Sequence, residues 1–114
     1  FTVTDSETTD GSFDLSLDND RTGIVVNGGS YFQLEGRSGF LFINVAAGNS
    51  RIESLDLSAD SVEVLHRGSQ DVLVNPQLKI KGRINGYGDV ISSTRPPIVD
   101  VEETFNGRLR FLQD

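Results

Sequence analysis

Apolar and polar residues alternate one by one in short runs along this chain: Phe13/Leu15/Leu17, Phe32/Leu34, Leu55/Leu57, Val62/Val64, Val72/Val74 and Leu78/Ile80. A period of two sends successive side chains to opposite sides of an extended backbone, so each run predicts a strand with one buried face. The β-branched and aromatic residues filling the runs fit a pleated, half-buried surface. No window of about a dozen residues carries a capped 3.6-residue stripe, so no helix longer than a turn is expected. Between the runs lie Asp18-Asn19-Asp20, Arg37-Ser38-Gly39, Ser58-Ala59-Asp60, Asn75-Pro76 and Arg95-Pro96-Pro97, whose side chains or fixed φ suit turns.

The glycines repeat as well. A motif of Gly, any residue, a small or polar residue, any residue and a large apolar one recurs as Gly28-Gly-Ser-Tyr-Phe32, Gly48-Asn-Ser-Arg-Ile52, Gly68-Ser-Gln-Asp-Val72, Gly86-Tyr-Gly-Asp-Val90 and Gly107-Arg-Leu-Arg-Phe111. The anchors fall 20, 20, 18 and 21 residues apart, with a weaker copy at Thr9-Asp-Gly-Ser-Phe13. A unit of this length holds two or three short strands and cannot cover its own apolar face, so stacking of successive units is the solution that buries it. The pattern therefore predicts a parallel β-helix of five to six coils over residues 1–114, a single domain and part of a longer protein, with Gly28, Gly48, Gly68, Gly86 and Gly107 at one corner. There the backbone takes positive φ or passes close to the next coil. Phe13, Leu34, Leu57, Val64, Val74, Ile80, Ile84 and Val101 are the expected inward residues. The alternative, a β-sandwich of hairpins, accounts for the strands but not for the glycine spacing.

Composition narrows the chemistry. The chain has no Cys, which removes disulfides, thiolate nucleophiles and thiolate metal sites, and its one histidine, His66, removes sites needing two. Of 17 acids, six (Asp5, Glu7, Asp10, Asp14, Asp18, Asp20) precede residue 21 with no base among them, leaving 11 acids against 10 bases in the rest. That nearly neutral body is not built for nucleic acid or an anionic membrane. No apolar run reaches transmembrane length, and no targeting signal is visible.

The candidate sites are few. The segment Ile84-Asn-Gly-Tyr-Gly-Asp-Val-Ile91 has the look of a phosphate loop but runs on into strand-forming residues instead of a helix N-terminus, and so reads as a corner. Asp18-Asn-Asp-Arg-Thr-Gly-Ile-Val25 follows an EF-hand loop through position 8, yet Gly29 stands where the bidentate Glu belongs; a turn is expected, and no metal. His66 has Ser61, Ser69 and Asp71 nearby in sequence, but no nucleophile elbow accompanies them, so a surface or turn histidine is expected. Lys79, Lys81 and Arg83 alternate with Leu78, Ile80 and the residues beyond, which puts three cations on the outer face of one strand. Such a row keeps a strand soluble, and it also suits a groove for an acidic glycan or a lipid head group.

The glycine corners, the segment Ile84–Val90 and the following Ser92-Ser-Thr-Arg-Pro-Pro-Ile-Val-Asp-Val-Glu-Glu103 together resemble the DUF2807 family, the head GIN domain of Bacteroidetes-type cell-envelope proteins assigned to autotransporter adhesins. The likeness runs from about Phe13 to Arg108. It departs at Leu109, where the last motif copy lacks its small residue, as if the final coil were ending. The resemblance implies a right-handed parallel β-helix, the C-terminal part of a longer domain, in a cell-envelope or extracellular setting. It carries over no catalytic residue and no cofactor. A non-enzymatic adhesive or structural module is expected, with a glycan, lipid head group or cell-surface protein as partner and weak self-association through the solenoid ends. A small polysaccharide-lyase-like enzyme on the same fold is the alternative, because that class gathers acids and a base on one outer face.

Overall fold

A single parallel β-sheet winds through the whole protein. The computed structural model describes the backbone of residues 2–5, 12–26, 29, 31–46 and 48–112, with side chains from Asp14 onward within that set. The strands are β1 (Thr2–Asp5), β2 (Ser12–Val26), β3 (Tyr31–Val45), β4 (Arg51–His66), β5 (Val72–Ile84), β6 (Val90–Ser92), β7 (Ile98–Glu103) and β8 (Leu109–Phe111). Each pairs in parallel with the segment about 19 residues on, in the order β1-β2-β3-β4-β5-β6-β8, and β7 pairs with the second half of β5. The result is a β-solenoid of about five turns. Parallel pairing throughout rules out the sandwich of hairpins.

The strands are longer than the alternation suggested, and the difference is informative. β4 has 16 residues and would stretch roughly 50 Å if straight, yet the molecule measures 37 × 33 × 18 Å. The strand therefore bends, and its burial pattern shows where. Ile52 and Ser54 point inward, then Leu57 and Ala59, then Val62, Val64 and His66. Each change of phase between even and odd positions marks a corner, giving a three-sided coil whose third corner is the loop after His66. The clusters read as turns from sequence sit at these bends. Asn19, Ser38, Ala59 and Pro76 fall in one register column, so these four coils turn at the same place within one strand each, while the last coil breaks there between β6 and β7.

Inside, like sits on like. Phe32, Ile52, Val72, Val90 and Leu109 form one column, and Leu41, Val62 and Ile80 another, with Ile24, Ile43 and Val64 beside it. Of the expected inward residues, Leu34, Leu57, Val64, Val74, Ile80 and Ile84 are buried, while the side chain of Phe13 lies outside the described residues. Val101 is only half-buried, because it belongs to the last coil and has a partner column on one side only. Leu78 points outward at 56% exposure. The cause is a register shift: one residue separates Ala59 from Ser61, whereas Gln77 and Leu78 together separate their partners Pro76 and Lys79. The extra residue forms a bulge and turns both side chains out.

Gly28 lies outside the described residues. The other motif glycines hydrogen-bond up the third corner: Ser69 N–H donates to the Gly48 carbonyl at 3.2 Å, Tyr87 and Gly88 N–H to that of Gly68 at 3.2 and 3.0 Å, and Gly107 N–H to that of Gly86 at 2.8 Å. Of these corner glycines only Gly48 has positive φ; at Gly86 a Cβ would instead stand 2.6 Å from the Gly68 carbonyl oxygen of the coil before. Two further glycines carry stronger constraints that the motif does not contain. Gly36 and Gly82 interrupt inward columns with φ of 110° and 146°, and a Cβ on Gly82 would lie 1.8 Å from the Val64 carbonyl oxygen. Gly82→Ala is expected to cost on the order of 3 kcal/mol or more, since it combines strained backbone with a backbone clash. Ile80→Val, two residues away, should cost only about 1 kcal/mol. Urea unfolding of the two variants checks this; a Gly82→Ala loss no larger than that of Ile80→Val would contradict the close approach.

Candidate functional site

The outer row of the third face is set by register. Lys79, Lys81 and Arg83 alternate outward from β5, and the neighbouring coils supply their counterparts: Ser61 and Ile98 flank Lys79, Glu63 and Asp100 flank Lys81, and Leu65 and Glu102 flank Arg83. Lys81 Nζ lies 3.7 Å from Glu63 and Arg83 Nη2 lies 3.1 Å from Glu102. Two of the three cations thus spend their charge on a neighbouring coil, Lys81 on the one before and Arg83 on the one after, and the row as a whole is not a cationic strip. Exposed pairs of this kind contribute roughly 0–1 kcal/mol each, so they open readily.

Arg83 nevertheless belongs to a groove that the row crosses. A depression of about 460 Å³ is lined by Asn44, Leu65, Arg67, Arg83, Asn85 and Glu102, with His66, Ala46 and Gly82 at its base. The same register column carries Asn44, Leu65, Arg83 and Glu102, so the groove runs across four successive coils. Arg67 and Asn85 join from the third corner, where the chain leaves the strand: Arg67 N–H donates to the Val45 carbonyl and Asn85 N–H to that of His66. Lys79 and Lys81 lie outside the lining. Sequence reasoning found Arg83 but missed its companions: Asn85 lies two residues on, and the others lie 16 to 39 residues away and meet only through register. The signal that could have found them is the coil spacing itself, which puts Asn44, Leu65, Arg83 and Glu102 at intervals of 21, 18 and 19 residues.

His66 is not a surface histidine. It continues the inward column of Val26, Val45 and Ile84 and is fully buried. Gly68 N–H donates to Nδ1 at 3.3 Å, so Nε2 carries the proton and donates to the Gln70 carbonyl at 2.7 Å. Both ring nitrogens are used to tie down the loop that makes the third corner. The neighbours that suggested a catalytic grouping work elsewhere: Ser69 Oγ reaches the Gly48 carbonyl, and Asp71 Oδ1 accepts from Asp89 N–H at 3.0 Å. Asp89 repeats that cap one coil on, accepting from Arg108 N–H at 2.8 Å and from the Arg110 guanidinium. Burial would raise the Asp89 carboxyl, but these donors outweigh it and hold it below the usual carboxylate value.

This aspartate ladder is what the Gly-Asp corners of Ile84–Ile91 do; the segment reads into β6, and no helix follows it. The calcium-like stretch Asp18–Val25 lies within β2. Asp18 and Asp20 face outward, while the side-chain oxygen Oδ1 of Asn19 accepts from Thr22 Oγ1 at 3.0 Å and Ser38 Oγ at 2.8 Å, a polar knot at the bend. An extended strand cannot wrap a cation as a twelve-residue loop does.

Residues 3–96 match the model of the family described as "Putative auto-transporter adhesin, head GIN domain". The chain belongs to that family. Among solved structures, a crystal structure of a "putative adhesin" from Bacteroides fragilis superposes with a TM-score of 0.83 at 21% identity, covering 96% of this chain and 53% of the other. At that identity the likeness is one of fold, and the chain spans about half the length of that neighbour. No curated protein matches.

Burial, opposed by the Gln70 hydrogen bond and by the charges of Asp71 and Asp89, pushes the His66 imidazole below its ordinary value. The folded state then binds a proton later than the unfolded chain does as pH falls. Stability is complete above about pH 6.5 and declines below it, by at most about 1.4 kcal/mol per pH unit for one proton. Urea unfolding of the wild type between pH 7.5 and 5.5 should show this loss, and His66→Val, which fits the aliphatic column, should remove the His66 step. A wild type that gains stability on acidification would mean a buried imidazolium instead.

Proposed function

We propose that this protein is a non-enzymatic module of a bacterial cell surface, adhesive in function, in which a rigid solenoid presents a binding groove on its outer face. The observation that carries this reading is the groove itself: it crosses four coils, and its polar lining includes groups that the fold does not use. Among the described residues the side chains of Asn44, Arg67 and Asn85 have no hydrogen-bond or ion-pair partner. A buried polar group would need one, but these stand at the surface and are available to a ligand. Family membership supports the same reading, since the family is described by adhesion. Against a hydrolytic grouping around the one histidine stands the state of His66, whose two ring nitrogens are committed to the corner backbone. The ladder supplies what display requires: a backbone fixed by neighbours on both sides, so that groove residues are held without their own mutual bonds.

Beads coated with the domain are expected to be retained on polysaccharide- or cell-coated surfaces several-fold better than albumin-coated beads. The same protein incubated with polyuronate and calcium should yield no unsaturated product. Retention no better than albumin would remove the adhesive reading, and turnover proportional to protein concentration would restore the enzyme.

A further inference from the structure

The groove's own chemistry narrows its ligand. Its lining carries two guanidinium groups, Arg67 and Arg83, against one carboxylate, Glu102, in a chain whose formal charge is −7. A locally positive cleft on an acidic protein selects an anion and discourages nonspecific binding elsewhere on the surface. Arg83 is engaged with Glu102, which leaves Arg67 as the guanidinium with an open face. Its planar fork suits a carboxylate, which it can bind bidentately. Around it stand two side-chain amides, Asn44 and Asn85, each able to donate to and accept from hydroxyl groups. Leu65, 36% exposed, supplies an apolar patch between them. Carboxylate, hydroxyls and an apolar ring face occur together on an acidic pyranose. The spacing agrees: Asn44, Leu65, Arg83 and Glu102 succeed one another on adjacent coils, a rung every ~4.8 Å, and a pyranose chain repeats on a comparable length.

We infer that the groove binds an acidic polysaccharide laid across the coils, with a sugar carboxylate on Arg67, hydroxyls on Asn44 and Asn85 and a ring face on Leu65. The inference rests on the reading of this groove as the adhesive face. One groove of this size and exposure gives weak binding per site, and many copies on a surface convert it into firm adhesion.

The test is titration of the ¹⁵N-labelled domain with oligomers of galacturonate, glucuronate and sialate, alongside neutral galactose and glucose oligomers of equal length. At least one acidic oligomer should produce saturable shifts confined to the amides around residues 44, 65–67, 83–85 and 102, with dissociation constants of about millimolar or tighter. The neutral oligomers should bind at least about tenfold more weakly. Arg67→Gln should lower the affinity for the acidic oligomer by about tenfold or more while leaving the urea midpoint unchanged, because the side chain is exposed and makes no hydrogen bond or ion pair in the fold. Lys79→Gln, outside the groove, should leave affinity within about twofold and serves as the charge control. Saturable shifts by neutral oligomers of equal strength, shifts centred on another face, or no saturable shift with any acidic oligomer would each overturn the inference. Bead retention on other surfaces would separate these results from failure of the adhesive reading: retention that survives Arg67→Gln leaves adhesion standing and removes this ligand, whereas no retention at all removes both.

Discussion

Among the described residues each inner coil is hydrogen-bonded to the coil before and the coil after, and that parallel ladder is the constraint from which the rest follows. A parallel ladder survives a corner only if all coils bend at the same residue column. The sequence must then place tolerant residues at the same point in each repeat, and it does so with Asn19, Ser38, Ala59 and Pro76. Where one coil is a residue longer, as at Gln77 and Leu78, the excess is expelled as a bulge and the register closes again beyond it. Where the next coil comes too near, the side chain is omitted, as at Gly82. The polar groups at the third corner, where strand pairing gives way to loop, are satisfied by substitutes: glycine carbonyls, the Asp71 and Asp89 carboxylates and the two nitrogens of His66.

Much of this was legible in the residues. Period-2 runs and glycines spaced about 20 apart dictate stacked coils, because neither can be explained by a unit that folds alone. What escaped was anything depending on a one-residue shift between neighbouring coils. Leu78 and Ile80 alternate in sequence as if both pointed inward, and only the register with β4 reveals that a bulge separates them. His66 follows a run of Val62 and Val64 at the same parity, so its burial could have been inferred from period alone. Chemistry argued the other way, since an imidazole is seldom placed in an aliphatic column. Asp, Asn, Ser and Pro mark breaks in isolated hairpins, whereas here β2 to β5 carry them through the bend within one strand, because the neighbouring coil turns with them; only at Arg95-Pro96-Pro97, between β6 and β7, does the strand stop.

The same register sets the surroundings of the cationic row of β5. A parallel in-register stack turns any repeated residue into a column with a ~4.8 Å step, at which like charges repel. This chain varies the sign from coil to coil: Glu63, Lys81 and Asp100 make one outward column and Leu65, Arg83 and Glu102 the next. The ladder is thereby relieved of repulsion, and the charges compensate one another across the coils. Salt weakens each such pair without disturbing the columns inside, since the inward residues carry the stability and the outward pairs contribute little.

Groups left out of this compensation have a common location. Arg67 and Asn85 stand just past the ends of β4 and β5, where the backbone turns into the third corner. Asn44 stands on β3, opposite Leu65, which offers it neither charge nor hydrogen bond. The corner therefore frees polar side chains that the flat faces would pair off, and it frees them beside an apolar floor. Because the inward columns, the glycine approaches and the aspartate caps do not involve these three residues, they can be exchanged without cost to the ladder. A solenoid of this kind separates the residues that build it from those the ladder leaves unbonded, and the corner depression is where the second set collects.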